Sequence, residues 1–248
     1  MSVTNDRDLK ALMKIGRIVR LTIDEMGAVL RPGMTTAELN QIGANVLAKH
    51  GARSAPMLMY KYPAATCISI NEEVAHGVPG GRVVQPGDVV NIDVSAELNG
   101  YIADAGHTYL VPPASAEMLR LCASTREAME NAIHAVRAGA KINAIGRAVE
   151  HIAQRDGYRI IRDLGGHGVG RSLHEEPRNV PNYFTNRAKQ KLGRGVVMTI
   201  EPFLTLGKGE IETASDGWTL KTKDGQRSAQ YEHTVVITDG EAIRVTVA

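Results

Sequence analysis

Residues 89–95 read Val-Val-Asn-Ile-Asp-Val-Ser, so apolar and polar side chains alternate along the segment. A period of two is typical of a β-strand that buries one face. The pair Asn99-Gly100 follows and suits a two-residue hairpin turn, after which residues 101–109 return as the partner strand. This part of the chain is therefore predicted to be an antiparallel hairpin.

The turn also fixes which residues face each other across the hairpin. If Leu98 pairs with Tyr101, Asp93 and Asp104 become diagonal neighbours on the same face. Two carboxylates at such a short distance from each other either share a proton or surround a cation. A divalent metal ion is the simpler way to keep both ionised. A solvent-facing hairpin with two unrelated acids is the alternative that this pattern alone leaves open.

Helical periodicity is found before and after the hairpin. Thr35 and Glu38 have the spacing of a capping box, and Gly51 and Gly157 are typical of helix ends. Helices are predicted over residues 6–30, from residue 35 or 36 to 51, over residues 115–137 and over residues 143–155.

Some of the glycines that end or separate the predicted helices recur at a fixed interval along the chain. Gly33 and Gly51 each lie 106 residues before another glycine, Gly139 and Gly157, and each set frames a helix, a turn and a second helix. Coincidence stays open, because glycine is common at helix ends. We expect an α+β fold in which residues 1–248 form a single domain of two pseudo-symmetric α/β halves, roughly 1–112 and 113–248. Their strands would join in a mainly antiparallel sheet with helices packed on one face and a site between the halves.

Two further acids and one histidine lie in unusual surroundings. Glu201 ends an apolar run and precedes a proline, and Glu232 lies in another apolar run, so both carboxylates need a partner. His167 lies in the glycine-rich segment 165–170, which lets the backbone pass close to a site. The spacings of phosphate-binding loops are missing, so that interpretation is rejected. Four carboxylates and a histidine suit two bridged divalent ions, whose shared water can become a nucleophile near neutral pH.

The composition of the chain limits the kinds of partner it can bind and the cellular compartment in which it is expected. Lys and Arg total 29 against 27 Asp and Glu, so no overall charge favours nucleic acid or an anionic membrane as the main partner. The N-terminal residues lack the apolar core of a signal peptide, and no apolar run is long enough to span a bilayer, so we expect a cytoplasmic protein. Cys67 and Cys122 are expected to be reduced and separately packed.

Around the predicted carboxylates and histidine, the sequence closely resembles type I methionine aminopeptidases, whose fold is often called pita-bread. The segments that carry the resemblance are Tyr-Pro at 62–63, Cys-Ile-Ser-Ile-Asn-Glu-Glu-Val-Ala-His-Gly-Val-Pro at 67–79, and the segments 91–94, 166–170, 174–177, 199–202 and 228–234. It implies one catalytic domain that removes the initiator methionine of nascent proteins when the second residue is small.

The resemblance also implies a metal centre. Its ligands would be Asp93, Asp104, His167, Glu201 and Glu232, with Asp104 and Glu232 bridging two divalent cations per chain, which could be cobalt, manganese, iron or zinc. Glu201 would also accept a proton from the bridging water.

By the same resemblance, the remaining site residues contact the substrate. His174 would hydrogen-bond the scissile carbonyl oxygen and His76 would contact the amide nitrogen. Tyr62, Cys67 and Trp218 match positions near a methionine side-chain pocket, although ordinary core packing explains each of them equally well. The implied partners are the N-termini of nascent polypeptides, with room for transient ribosome contact, and we expect a monomer.

Three other functions would use parts of the same pattern. A proline-specific peptidase of the same fold normally carries a separate N-terminal domain that 248 residues cannot hold. A non-catalytic binding protein on this fold would lose metal ligands, and all five are present. A two-metal phosphatase or nuclease should show basic residues facing a phosphate, and Arg171 alone does not meet that expectation.

Overall fold

A computed structural model describes all residues from 1 to 248, and its helices largely follow the predicted ones. They are α1 (Asp6–Val29), α2 (Thr36–Lys49), α3 (Ala55–Tyr60), α4 (Ala116–His134) and α5 (Asn143–Asp156). Only the six-residue α3 was not predicted, because so short a segment shows no helical period. None of the five helices is both long and apolar enough to cross a bilayer.

The signals predicted to begin and end α2 are present in the structure. The Thr35 hydroxyl accepts a hydrogen bond from the backbone N–H of Glu38 at 3.2 Å, and the Glu38 carboxylate accepts one from the backbone N–H of Thr35 at 2.8 Å. This is the predicted capping box, which satisfies two N–H groups that would otherwise lack partners. Gly51, just beyond the helix, has a φ of 70°, which glycine adopts without strain.

Fifteen strands pair in antiparallel fashion throughout, as predicted, but they divide among four hydrogen-bonded sheets instead of joining in one. The strands of the first part of the chain are β1 (Arg53–Ser54), β2 (Cys67–Ile70), β3 (Glu73–Ala75), β4 (Val89–Leu98) and β5 (Tyr101–Leu110). Those that follow are β6 (Arg159–Ile160), β7 (Gly165–Gly168), β8 (Glu175–Pro181), β9 (Val197–Ile200), β10 (Phe203–Thr205), β11 (Ile211–Thr213), β12 (Leu220–Thr222), β13 (Ser228–Gln230), β14 (His233–Val236) and β15 (Ile243–Arg244).

The hairpin of β4 and β5 has the register predicted from its turn. Leu98 pairs with Tyr101, and Asp93 lies opposite Gly106, so Asp93 and Asp104 are diagonal neighbours. Asn99 and Gly100 both have positive φ, 53° and 80°, as a two-residue hairpin turn of this kind requires.

The chain crosses between two sheets at both predicted glutamates. Glu201 lies between β9 and β10, and Glu232 lies between β13 and β14; β9 pairs with β14 in a five-stranded sheet, whereas β10 pairs with β13 in another. Glu201, which ends an apolar run in the sequence, therefore lies where a buried strand ends. Glu232 also donates its backbone N–H to the Gly106 carbonyl at 2.9 Å, which ties this junction to the β4–β5 hairpin.

Helices cover one face of the strands on each side of that junction. Val90, Ile92 and Val94 of β4 share an apolar core with α1. Met198 and Ile200 of β9 share a second core with α4 and α5. The polar side chains that alternate with these residues face the opposite side, so they are brought together between the two sets of strands.

The glycines that recur at an interval of 106 residues correspond to repeated local structure. Helices α2 and α5 both contain 14 residues, and the glycine that follows each has positive φ. Gly33 and Gly139, which precede the two helices, also share a positive φ, 88° and 83°. The division of the chain into halves at about residue 112 stays a prediction.

Replacing Gly16 with alanine tests how closely α1 packs. A Cβ on Gly16 would overlap the backbone carbonyl oxygen of Val245, which cannot rotate away. We expect Gly16→Ala to lower the free energy of unfolding by about 2 kcal/mol, although alanine stabilises an open helix position. Urea denaturation measures the change.

Gly43→Ala is the matched control. Gly43 lies in α2, and the atom nearest to a Cβ there is the sulfur of the flexible Met26 side chain, so we expect a smaller loss. A Gly16→Ala protein as stable as the unsubstituted one would contradict this account of the packing.

Candidate active site

One cavity of about 170 Å³ contains every site residue that the sequence predicted. The ten are Tyr62, Cys67, His76, Asp93, Asp104, His167, His174, Glu201, Trp218 and Glu232. They come from segments spread over most of the chain, so their convergence is a property of the fold. The roles assigned to them stay predictions at this point.

The cavity has a buried floor and an open mouth. Asp104, His167, Glu201 and Glu232 form the floor, and each is exposed by 9% or less. The two other predicted histidines, His76 and His174, are exposed at the mouth. A polar group that enters through the mouth would therefore meet the imidazoles before the carboxylates.

The floor residues are close enough to share a cation. One ligand atom from each of Asp104, His167 and Glu232 lies within 4.8 Å of the others. The Nε2 atom of His167 lies 3.5 Å from Glu201 Oε1. Asp93 joins this group from the neighbouring position on the hairpin, so all five predicted ligands lie around one small space.

The orientation of His167 makes it suitable as a metal ligand. Its Nδ1 atom lies 3.1 Å from the Gly168 carbonyl oxygen, which can only accept a hydrogen bond. Nδ1 therefore carries the ring proton, and the lone pair of Nε2 is left toward Asp104 and Glu201. Fixing the tautomer through the other ring nitrogen is the usual arrangement for metal-binding histidines.

The glycines around His167 allow β7 to approach its neighbours, as the sequence suggested. A Cβ on Gly166 would overlap the backbone oxygen of Thr199 in β9, and one on Gly168 would overlap the backbone oxygen of Glu176 in β8. Bulkier residues at these two positions would push β7 away, and the imidazole would move with it.

Burial of so many carboxylates raises their pKa values. Burial first, and repulsion from Asp104 second, hold the pKa values of Asp93, Glu201 and Glu232 well above their usual range. Burial also raises the pKa of Asp104, although the hydrogen bond donated by the Ser95 hydroxyl opposes this. Without a cation, part of this group must therefore hold protons.

The imidazoles respond in the opposite direction. Loss of hydration within the cavity lowers the pKa of His76 and of His167, and it lowers the pKa of His174 to about 4. All three rings are therefore neutral near pH 7, as metal ligation and hydrogen bonding to a substrate require.

One oxygen of Glu232 gives direct support for a bound cation. Glu232 Oε1 is buried and has no hydrogen-bond partner, whereas Oε2 accepts a hydrogen bond from the Gln230 side chain at 2.9 Å. An unpaired buried carboxylate oxygen is costly unless something else satisfies it. A hard divalent cation fits this oxygen and the rest of the donor set.

Several residues that hold the ligands were not identified from the sequence. The Ser95 hydroxyl donates to Asp104 at 2.7 Å, and the Thr199 hydroxyl donates to Glu201 at 2.7 Å. Thr199 and Gln230 each precede a ligand by two residues, so the period of a strand could have found them. These hydrogen bonds orient the carboxylates and keep them from turning toward one another.

Tyr60 is a further residue that the sequence did not predict. Its hydroxyl lies 2.7 Å from Nδ1 of His174, and its side chain lines the cavity. The two residues are 114 positions apart, and Tyr60 lies in the unpredicted helix α3. No local pattern in the sequence could have brought them together.

The other side of the cavity is apolar. Tyr62 and Cys67 are buried in a small cluster, and Trp218 packs edge-on against Tyr62 with ring centroids 5.3 Å apart. The Tyr62 hydroxyl is satisfied by donating to the Gly77 carbonyl at 2.7 Å. Phe203 and Leu173 also line the cavity. Cys67 is a free thiol, as is Cys122, which agrees with the predicted absence of a disulfide.

Comparisons with known proteins agree with this geometry. The model of metallopeptidase family M24 matches residues 10–239. A relative from Bacillus subtilis (strain 168), named methionine aminopeptidase 2, is 44% identical over 247 residues, which cover 99% of each chain. The crystal structure of methionine aminopeptidase from Rickettsia prowazekii superposes with a TM-score of 0.95 at 35% identity, covering all of both chains.

A more distant structure shares the fold alone. Prolidase from Pyrococcus furiosus superposes with a TM-score of 0.78 at 21% identity. The match covers 99% of the present chain but only 65% of the prolidase.

Thr199→Val tests whether the hydroxyl beside Glu201 supports metal binding. Valine keeps the shape but cannot donate to Glu201, nor accept the 3.0 Å hydrogen bond from the backbone N–H of His167. We expect manganese to bind about tenfold more weakly, measured by calorimetry on metal-stripped protein. Thr205→Val is the control, because the buried Thr205 hydroxyl donates to the backbone carbonyl oxygen of Arg227, away from the cavity. Equal weakening in both variants would contradict the proposed support.

The raised carboxylate pKa values predict how pH affects the stability gained from metal. Protonation of Asp93, Glu201 and Glu232 stabilises the metal-free fold below the unfolded pKa values, 3.8 for Asp and 4.5 for Glu. That contribution is lost as the pH rises through the higher folded values. A cation replaces these protons, so its stabilising effect should grow with pH.

We expect the difference in Tm between manganese-loaded and EDTA-treated protein to be larger at about pH 8 than at about pH 6. Scanning calorimetry at both values measures it. A difference that stays constant or shrinks as the pH rises would contradict a metal centre built from these acids.

Proposed function

We propose, for a chain that belongs to metallopeptidase family M24, that it is a metal-dependent aminopeptidase that removes N-terminal methionine from proteins. The observation that carries this function is the meeting of all ten predicted site residues in one cavity. Full-length similarity to methionine aminopeptidases supports it, and the motifs quoted from the sequence support the type I class.

Five residues would hold the cations. Asp93, Asp104, His167, Glu201 and Glu232 supply only oxygen and imidazole nitrogen, which suits manganese, iron, cobalt or zinc. The number of carboxylates and the unpaired Glu232 oxygen support two cations rather than one. When bound, these ions would lower the pKa of a water held between them and so supply a nucleophile near neutral pH.

Glu201 is well placed to accept a proton. Its Oε1 atom accepts the Thr199 hydrogen bond, which leaves Oε2 free. Burial raises the pKa of this carboxyl in the metal-free site, and bound cations would keep it ionised and able to accept a proton.

The two histidines at the mouth would contact the scissile amide. When the Tyr60 hydroxyl donates to Nδ1 of His174, the ring proton is placed on Nε2, which can then donate to a carbonyl oxygen as it gains negative charge. His76 has no side-chain hydrogen bond that would hold it away from the substrate, and its neutral ring can assist the departing amine.

The apolar wall would accept the methionine side chain. Tyr62, Cys67 and Trp218 present aromatic and sulfur surfaces, which suit a thioether. The second side chain would have to pass close to the predicted metal ligands, so we expect substrates in which this side chain is small.

The cellular setting follows from the substrate. Nascent polypeptides are available in the cytoplasm, where the unpaired thiols Cys67 and Cys122 would also persist. We place the protein there as a monomer, with transient ribosome contact as one route to its substrate.

The alternatives have less support. The prolidase from Pyrococcus furiosus is 21% identical to this chain, whereas methionine aminopeptidase 2 from Bacillus subtilis is 44% identical. A non-catalytic binding protein would have no need of four buried acids whose repulsion disfavours the metal-free site.

Release of free methionine from two tripeptides tests the function. Metal-stripped protein should cleave Met-Ala-Ser only after manganese or cobalt is added, and Met-Leu-Ser should stay intact. Glu201→Ala should lower kcat by about 100-fold or more, because the proton acceptor is lost. Glu25→Ala, at an exposed position of α1, is the matched control and should retain full activity. No cleavage with any metal by protein that binds two ions would point to a binding protein or another substrate.

A further inference from the structure

Helix α3 exposes an unusual run of apolar side chains. Met57, Leu58, Met59 and Tyr60 are consecutive and are exposed by 48, 45, 41 and 42%. The other large apolar residues with this degree of exposure lie singly along the chain, at Leu21, Val83 and Leu119. Single exposed apolar residues are ordinary, but a contiguous group marks a binding surface. We name residues 57–60 the α3 patch.

The α3 patch adjoins the mouth of the cavity. Tyr60 lines the cavity and contacts His174, and Pro56, at the start of the same helix, lines it as well. Only Ala55 and Pro56 of α3 are buried, so the helix is anchored at one end and projects its remaining residues into solvent.

The geometry of the cavity determines where a bound chain must go, given the proposed function. The floor is closed by the buried side chains of the predicted metal ligands, so a bound chain enters and leaves through the mouth. The third and later residues must leave through the mouth, where His76 and His174 are exposed. Because Tyr60 contacts His174 at that mouth, the departing chain passes beside α3.

We infer that the α3 patch binds apolar side chains at the third to fifth positions of the substrate, so that the enzyme favours proteins with apolar residues there. Methionine and leucine side chains are flexible and accept apolar partners of different shapes. A surface that binds substrates of many different sequences requires this property. The position of the patch favours the substrate over a permanent partner, because a second protein bound there would cover the mouth.

Two peptides of equal length and charge test the inference. Met-Ala-Leu-Leu-Leu-Ser-Lys and Met-Ala-Ser-Ser-Ser-Ser-Lys differ only at positions three to five. We expect kcat/KM to be about tenfold higher for the leucine peptide, mainly through a lower KM, because the gain is binding that does not depend on the reaction step.

The triple variant Met57→Gln, Leu58→Gln, Met59→Gln removes the apolar surface while keeping chain length and helix propensity, and it retains Tyr60. We expect its preference for the leucine peptide to fall to about onefold to twofold. Leu119→Gln, which removes an exposed leucine from α4, is the matched control and should keep the tenfold preference.

The failures of the two proposals are distinguishable. If no peptide releases methionine, the proposed function fails; if both heptapeptides are cleaved equally well, or the triple variant keeps the preference, only the α3 inference is wrong. Analytical ultracentrifugation of the unsubstituted protein and of the triple variant, which measures their oligomeric state, gives a further check. A dimer that the triple substitution converts to monomer, with the peptide preference unchanged, would identify the patch as a contact between copies and overturn the inference.

Discussion

The repulsion among four buried carboxylates is the constraint on which the rest of the structure depends. Removing a carboxylate from water costs several kcal/mol unless it is paired. Here burial raises the pKa values of all four acids, and repulsion from Asp104 raises those of Asp93, Glu201 and Glu232 further. The fold holds them together through hydrogen bonds from neighbours such as Ser95 and Thr199. A site that the metal-free protein disfavours in this way is one that a divalent cation strongly stabilises.

Much of the centre could be predicted because its determinants are local. The register of the β4–β5 hairpin follows from the length of its turn, and that register alone places Asp93 beside Asp104. His167, Glu201 and Glu232 were identified as unusual from their immediate neighbours, but their meeting with the hairpin was implied only by family resemblance. The division into separate sheets at both glutamates depends on pairings between distant strands, so no local period encodes it.

The mouth of the cavity was predicted less well, for a physical reason. Helix α3 has six residues, too few for a hydrophobic period, and Tyr60 reaches His174 only through the tertiary fold. Its exposed methionines and leucine also contradict the simple expectation that apolar residues are buried. Positions at which ordinary sequence rules fail in this way are often functional, because binding surfaces are exempt from the packing that those rules describe.

Metal binding and substrate contact are thus supported by different kinds of structure. The predicted ligands lie on strands or at strand ends fixed by backbone pairing, where even a Cβ on Gly166 would displace β7. The α3 patch beside the mouth lies on a short helix anchored by two buried residues, so its outer side chains can change without disturbing a core. A change at Met57 or Leu58 would therefore alter which chains are bound, whereas a change beside the ligands would alter whether a metal is held at all. This separation lets one rigid centre serve many substrate sequences.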